Sequence, residues 1–272
     1  MINYTERIAL LMHDIVARTA ALRFIDMSRV LVFARLGRAG ADGPFATCHC
    51  LNLPTSDPGY YFWRDRRTGR LTRRSEWFVT KSPDVRIGTR QIEYMISFVL
   101  PRFCDQSLTR SRKREHYPGA SGWVAKLDTV VHELYHIDPL EAGLRRLERA
   151  DGTYSPRSHG PGFYEQVALM VKNYLESDPD PDVYDFLKYD FTVLQERFGG
   201  VVGTTFRNFP SFPQRYMEAL ADQPRHPIAP VESVKAPAQP RAYTEDDLHT
   251  HQFLERTARR LTRARKARHR AA

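Results

Sequence analysis

An α+β fold, with a small, mostly antiparallel sheet packed on helices, is predicted by three features of this 272-residue sequence. Runs of β-branched and aromatic residues crowd into the first hundred positions. Apolar residues at helical spacing take over from residue 123 to about residue 197. One of those later helices carries His-Glu-Leu-Tyr-His at 132–136, a pattern with chemical content.

In chain order, Ile8, Leu11, Ile15 and Val16 recur at helical spacing and predict a helix over 3–21. Residues 29–36 and 45–53 read as strands, and 60–64 and 71–80 as two more flanking an Arg66-Arg67-Thr68-Gly69 turn. Residues 92–100 form another strand, stopped by Pro101. Residues 106–122 read as a polar, basic loop whose Ser121 can cap the next helix. That helix, 123–137, has its apolar residues in one sector, while His132 and His136 fall about 140° and 180° from Leu127 at about 100° per residue. Pro139 ends it. A turn-rich stretch, 150–162, precedes a helix over 163–176, and Asp182 can cap another running to Arg197 before Phe198-Gly-Gly. Residues 223–241 are Pro-rich and polar, and 244–270 read as a charged helix or a disordered arm.

The domain reading is a catalytic body over 1–180, a helical extension packed on it over 181–222, a linker over 223–243 and a basic tail over 244–272. No apolar run approaches the roughly 18 residues a membrane span needs. The N-terminus reads as an amphipathic helix rather than a signal peptide. Three cysteines, Cys48, Cys50 and Cys104, make no disulfide framework and suit a reducing cytoplasm. Cys48-His49-Cys50 lacks a matching second ligand pair, and alternate strand residues face opposite ways, so it reads as two buried thiols flanking a polar His.

On a helix, positions four apart share a face, so His132 and His136 can reach one metal ion, and Glu133 can hold a water against it. A hydrolytic zinc site wants three protein ligands and an open position. Candidates for the third are Asp138, Glu141, His159 and Glu165. Asp138 falls on the apolar side of the helix, and Glu141 needs a tight reversal past Pro139. His159, in Ser-His-Gly-Pro-Gly-Phe ahead of a helix, is best placed for the chain to turn back. Asp128, one turn before His132, is a candidate acceptor for a ligand imidazole.

His-Glu-Leu-Tyr-His, then about two dozen residues, then His159-Gly-Pro-Gly-Phe163 before an amphipathic helix, resembles the SprT-like metallopeptidases, which include the Spartan DNA–protein crosslink proteases. It resembles still more closely a related phage-type metallopeptidase domain. The resemblance covers roughly residues 1–180 and implies a zincin-like fold with a small sheet preceding the motif helix. It implies Zn2+ held by His132, His136 and His159, with Glu133 as the catalytic base. The C-terminal four-Cys zinc ribbon of SprT itself has no counterpart here.

The expected activity is therefore hydrolysis of peptide bonds in a protein or peptide substrate, Glu133 shuttling the proton. Tyr154, Arg157 and Tyr164, which flank the third ligand, are candidates to stabilise the oxyanion. Net charge is +9, and residues 252–272 hold eight Arg and Lys against Glu255 alone. That tail, with Arg259, Arg260, Arg263, Arg265, Lys266 and Arg268, could neutralise DNA phosphates, as could Arg110, Arg112, Lys113 and Arg114. The alternative function is a nucleic-acid-binding protein whose His site is structural or inert, although an intact Glu133 argues against it.

Overall fold

The computed structural model describes every residue except 38–42, 53–54, 56–57, 111, 139–143, 146–158, 160, 208–215, 223–230, 233–241 and 255–272. The chain opens with a two-residue strand β1 (Ile2–Asn3) and helix α1 (Tyr4–Arg18). The Asn3 side chain accepts the Glu6 N–H and so caps α1. Its apolar stripe, Ile8, Leu11, Met12, Ile15 and Val16, is buried.

Strands follow: β2 (Val30–Leu36), β3 (Ala46–Cys50), β4 (Tyr61–Arg64), β5 (Leu71–Arg74), β6 (Phe78–Lys81), β7 (Asp84–Ile87), β8 (Arg90–Gln91) and β9 (Tyr94–Leu100). Then come α2 (Val124–Tyr135), α3 (Pro161–Glu176), α4 (Pro181–Tyr184) and α5 (Phe191–Phe198). The last strands are β10 (Val201–Phe206), β11 (Tyr216–Ala219), β12 (Val231–Glu232), β13 (Ala242–Tyr243) and β14 (Leu248–Phe253).

The central sheet has the order β2-β9-β3. All seven residues of β9 are buried, as a strand paired on both edges and covered on both faces must be. Its alternation separates two cores. Tyr94, Ile96, Phe98 and Leu100 join the large core made with α1, α2 and α3. Met95 points the other way, into a smaller cluster with Phe33, Leu51, Val85, Ile92, Phe206 and Tyr243.

The architecture is mixed α/β with several small sheets, and no barrel closes among the described residues. The sheets are mixed rather than mostly antiparallel: β3 runs antiparallel to β9, but β2 runs parallel to it. No hairpin joins β2 to β9; the long excursion through β3–β8 lets β9 enter from the same end as β2. A second sheet, β1-β10-β14, pairs Ile2 with Val201 and Val201 with Phe253.

Several other expectations are corrected. The segment 71–80 is two strands, β5 and β6, each with its own partner. The loop 106–122 contains short 3-10 turns at Leu108–Arg110 and Arg112–His116. Ser121 makes no side-chain cap for α2. The single helix expected over 182–197 is broken, because Asp180 caps α4 and Asp190 caps α5. Gly199 ends α5 in the left-handed region (φ 69), which glycine adopts without steric cost. Beyond it, 201–206 is strand, so the helical reading of 181–222 holds only to Phe198. The basic arm expected from 244 starts instead with β14, antiparallel to β10. Among the described residues no helix is long and apolar enough to cross a membrane.

Candidate metal centre

Helix α2 lies with Leu127, Val130, Val131 and Leu134 fully buried, and this fixes its rotation. The opposite side then carries His132 and His136 into a cleft of about 420 Å³. His159, just ahead of α3, enters the same cleft. The three Nε2 atoms form a near-equilateral triangle: 3.2 Å between His132 and His136, and 3.0 Å from His159 to each.

Three neutral imidazoles have no set of N–H groups that could satisfy such a triangle by mutual hydrogen bonds. Three nitrogens each about 2.0–2.1 Å from a tetrahedral ion would stand about 3.3–3.4 Å apart, close to these edges. Burial lowers the His132 imidazole to about 2, with His136, Lys113 and His159 adding to the effect. Burial likewise lowers His136 to about 3, helped by His159 and Arg145, and lowers His159. All three are therefore neutral near pH 7, the state a metal ligand requires. Among the described residues these are the only three His, Cys, Asp or Glu grouped closely enough to hold a metal ion.

The ring of Phe163, at the start of α3, backs the triangle. Its centroid is 5.0 Å from each of the three imidazoles. Tyr164 stacks on His159 at 5.7 Å and 17° and reaches the cleft. Glu133 is buried beside the triangle, and burial raises its carboxyl to about 8, against the opposing pull of the Cys48 backbone N–H, Lys113 and Arg35. The Cys48 N–H comes from β3, the edge strand of the central sheet, whose residues 46–48 line the cleft.

Other expected site residues fall differently. Glu165 is exposed on α3, and Asp138 lies outside the imidazole cluster. Tyr154, Arg157 and Glu141 lie outside the described residues, as do Arg259, Arg260, Arg263, Arg265, Lys266 and Arg268 of the tail. Asp128 does not serve an imidazole. It is buried, accepts the Tyr117 hydroxyl at 2.6 Å and forms an ion pair with Lys113. Among the described residues, the buried Nδ1 atoms of His132 and His136 meet no hydrogen-bond partner.

Lys113, read from sequence as a phosphate contact, instead ties its 3-10 turn to α2. Its ammonium also donates to Thr129 Oγ1 at 2.6 Å and to the Ala125 carbonyl at 3.4 Å. Thr129 in turn contacts Gln106 Oε1 at 3.0 Å, and Gln106, Thr129 and Lys113 all line the cleft. The sequence signal for this wall is Asp128, one turn before His132: a carboxylate buried on this helix requires a cation or donors nearby. His49 faces away from Cys48 and Cys50, toward Phe33 and Ser97, and all three cysteines are buried thiols outside any disulfide.

Comparison with models of known protein families, with curated proteins and with solved structures found no match.

Proposed function

We propose that this chain is a zinc-dependent peptidase of SprT-like, zincin type. The observation that carries the reading is the convergence of the His132, His136 and His159 Nε2 atoms, 3.0–3.2 Å apart, beside the buried carboxyl of Glu133. Bound there, Zn2+ would polarise a substrate carbonyl and make a water acidic near neutral pH. A dication held beside it would favour the ionised form of the buried Glu133 carboxyl, which would then accept a proton from the attacking water and later deliver it to the leaving amine. Phe163 keeps solvent away from the back of the imidazoles. Tyr164, stacked on His159 at the cleft, is the described candidate for a donor to the developing oxyanion.

A peptide fits the cleft better than a compact small molecule. The backbone of β3 bonds to β9 on one side only, through contacts such as Val99 N–H to the Phe45 carbonyl. In an antiparallel ladder the intervening residues, Ala46 and Cys48, turn their backbone groups to the other side; there the Cys48 N–H serves Glu133 and the Ala46 carbonyl accepts the Thr47 hydroxyl, which leaves the Ala46 N–H and the Cys48 carbonyl for an added chain. An extended chain can add to that edge and lie across the imidazoles. The test is metal analysis of the purified protein together with casein cleavage in the presence and absence of a chelator. Stoichiometric zinc and chelator-sensitive cleavage are expected. A protein that binds no divalent metal, or one whose cleavage ignores the chelator, rules the reading out.

A further inference from the structure

The hairpin β4–β5 stands apart from the cleft in composition. Every residue of β5 is exposed, and so are Arg64 on β4 and Arg66, Arg67 and Arg70 around the turn. Between them lie half-buried aromatic rings, Tyr60, Phe62, Trp63 and Trp77. Over 60–77 there are six arginines against Asp65 and Glu76.

The acids do not quench this charge. The Asp65 carboxylate is used by the turn, accepting the Arg67 N–H at 3.0 Å, the Thr68 N–H at 2.7 Å and the Thr68 hydroxyl at 2.9 Å. Among the described residues, no acidic side chain pairs with Arg66, Arg67, Arg70, Arg73 or Arg74. Several guanidinium groups lie over rings instead. The guanidinium carbon of Arg73 is 3.8 Å from the Trp63 ring centre, Arg74 is 5.1 Å from Tyr60, and Arg64 is 5.1 Å from Phe62. The register accounts for the first pair, with Trp63 opposite Arg73 on one face of the hairpin; Phe62 is opposite Arg74 on the other face, where Tyr60 and Arg64 provide the remaining contacts.

We infer that the β4–β5 hairpin is a binding surface for single-stranded nucleic acid, separate from the metal cleft and from the basic tail. An arginine flat on an aromatic ring leaves its outer face for a base and its N–H edges for phosphates. Ring–guanidinium pairs stand on both faces of the hairpin beside β5, the open edge of its sheet, so one strand laid along that edge meets stacking surfaces and cations on either side. A duplex hides its base faces and offers the rings nothing. An anionic membrane would match the charge, but the turn that would enter it is Arg-Arg-Thr-Gly, with no apolar residue at its tip.

The test is fluorescence anisotropy of the full chain with labelled dT20, U20 and a 20-base-pair duplex, across salt. Single strands should bind at least tenfold more tightly than the duplex. dT20 and U20 should bind equally, because neither phosphates nor ring faces report the 2′-hydroxyl. Arg73→Glu/Arg74→Glu should weaken binding at least tenfold and lower the salt slope by about 1.4, at about 0.7 per lost phosphate contact. Trp63→Ala should weaken binding about tenfold, and Trp63→Phe should retain most of it. Unchanged far-UV circular dichroism and melting guard against misfolding, and Arg70→Gln gives a milder change at the turn. Arg263→Gln/Arg265→Gln/Lys266→Gln tests the tail. The inference is overturned by any of four results: no binding; binding lost only with the tail variant; a more than tenfold preference for either sugar or for duplex; or capture by phosphatidylserine vesicles without binding to oligonucleotide. None of these readouts depends on peptidase activity.

Discussion

The Phe163 ring meets the His132 imidazole edge-on, with 5.0 Å between centroids and 71° between planes. The same ring stands equally far from His136 and His159, so one side chain packs against all three members of the triangle. Phe163→Ala should therefore weaken zinc binding by about 10–100-fold, the usual effect of losing an outer support of a metal site. It should also cost about 3–5 kcal/mol of stability as a buried aromatic truncation. Phe163→Leu should retain most zinc affinity. Competition against a fluorescent chelator measures this, and equal affinity in Phe163→Ala would show that the triangle does not rest on that ring.

Glu133→Gln keeps the shape of the side chain and removes its basicity. Zinc content should stay at one equivalent while casein cleavage drops by at least 10²-fold, in line with the contribution of a general base. Wild-type turnover by this variant would remove Glu133 from the chemistry.

Zinc should raise the melting temperature, because an ion that binds only the folded state adds about 2.7 kcal/mol at 100 times its Kd. His159→Ala should abolish most of that rise, since His159 is the one imidazole of the cluster that comes from outside the His132–His136 turn. Differential scanning calorimetry with and without zinc reads the effect. A full zinc-induced shift in the variant would mean that His159 is not a ligand.

Lys113 and Asp128 should prove strongly coupled. Both are largely buried, so Lys113→Met leaves a carboxylate without its cation and should cost about 3–5 kcal/mol. Combining it with Asp128→Leu should cost less than the two single changes added together, with a coupling above about 1.5 kcal/mol in urea denaturation. Additive losses would mean that the pair does not tie the 3-10 turn to α2.

His49 should make stability fall in mild acid. Burial, with Arg35 nearby, holds its folded-state pKa at about 4, below the ordinary 6.5. Between these values the unfolded chain binds a proton that the folded chain refuses, so stability is lost as pH falls from about 6.5 toward 4. At pH 5 the loss from this residue is about 2 kcal/mol relative to pH 7. His49→Gln should remove that part of the slope. An identical difference between wild type and variant at both pH values would place the acid sensitivity elsewhere.

The imidazole cluster was legible where its logic is local. His132, Glu133 and His136 need only helical phase, and the apolar sector from Leu127 to Leu134 fixed which way they face. The placement of His159 followed from a Gly-Pro turn before a helix. What escaped was set by partners distant in sequence. Lys113 looks like any other cation in Arg112–His116 until Asp128 is beside it. The parallel pairing of β2 with β9 depends on the path of the chain between them, which periodicity does not encode. β14 was hidden because His249, Thr250, His251 and Gln252 give a strand with little apolar alternation, just before a run of arginines. The break between α4 and α5 was hidden because Val183, Leu187, Phe191 and Leu194 keep helical spacing across it.

Ile2 and Phe253 flank the same residue, Val201, from opposite edges of one strand. Shortening the protein at residue 244 to strip its arginines would thus tear out a strand and expose Val201, confounding charge with collapse. A clean removal must begin after Leu254.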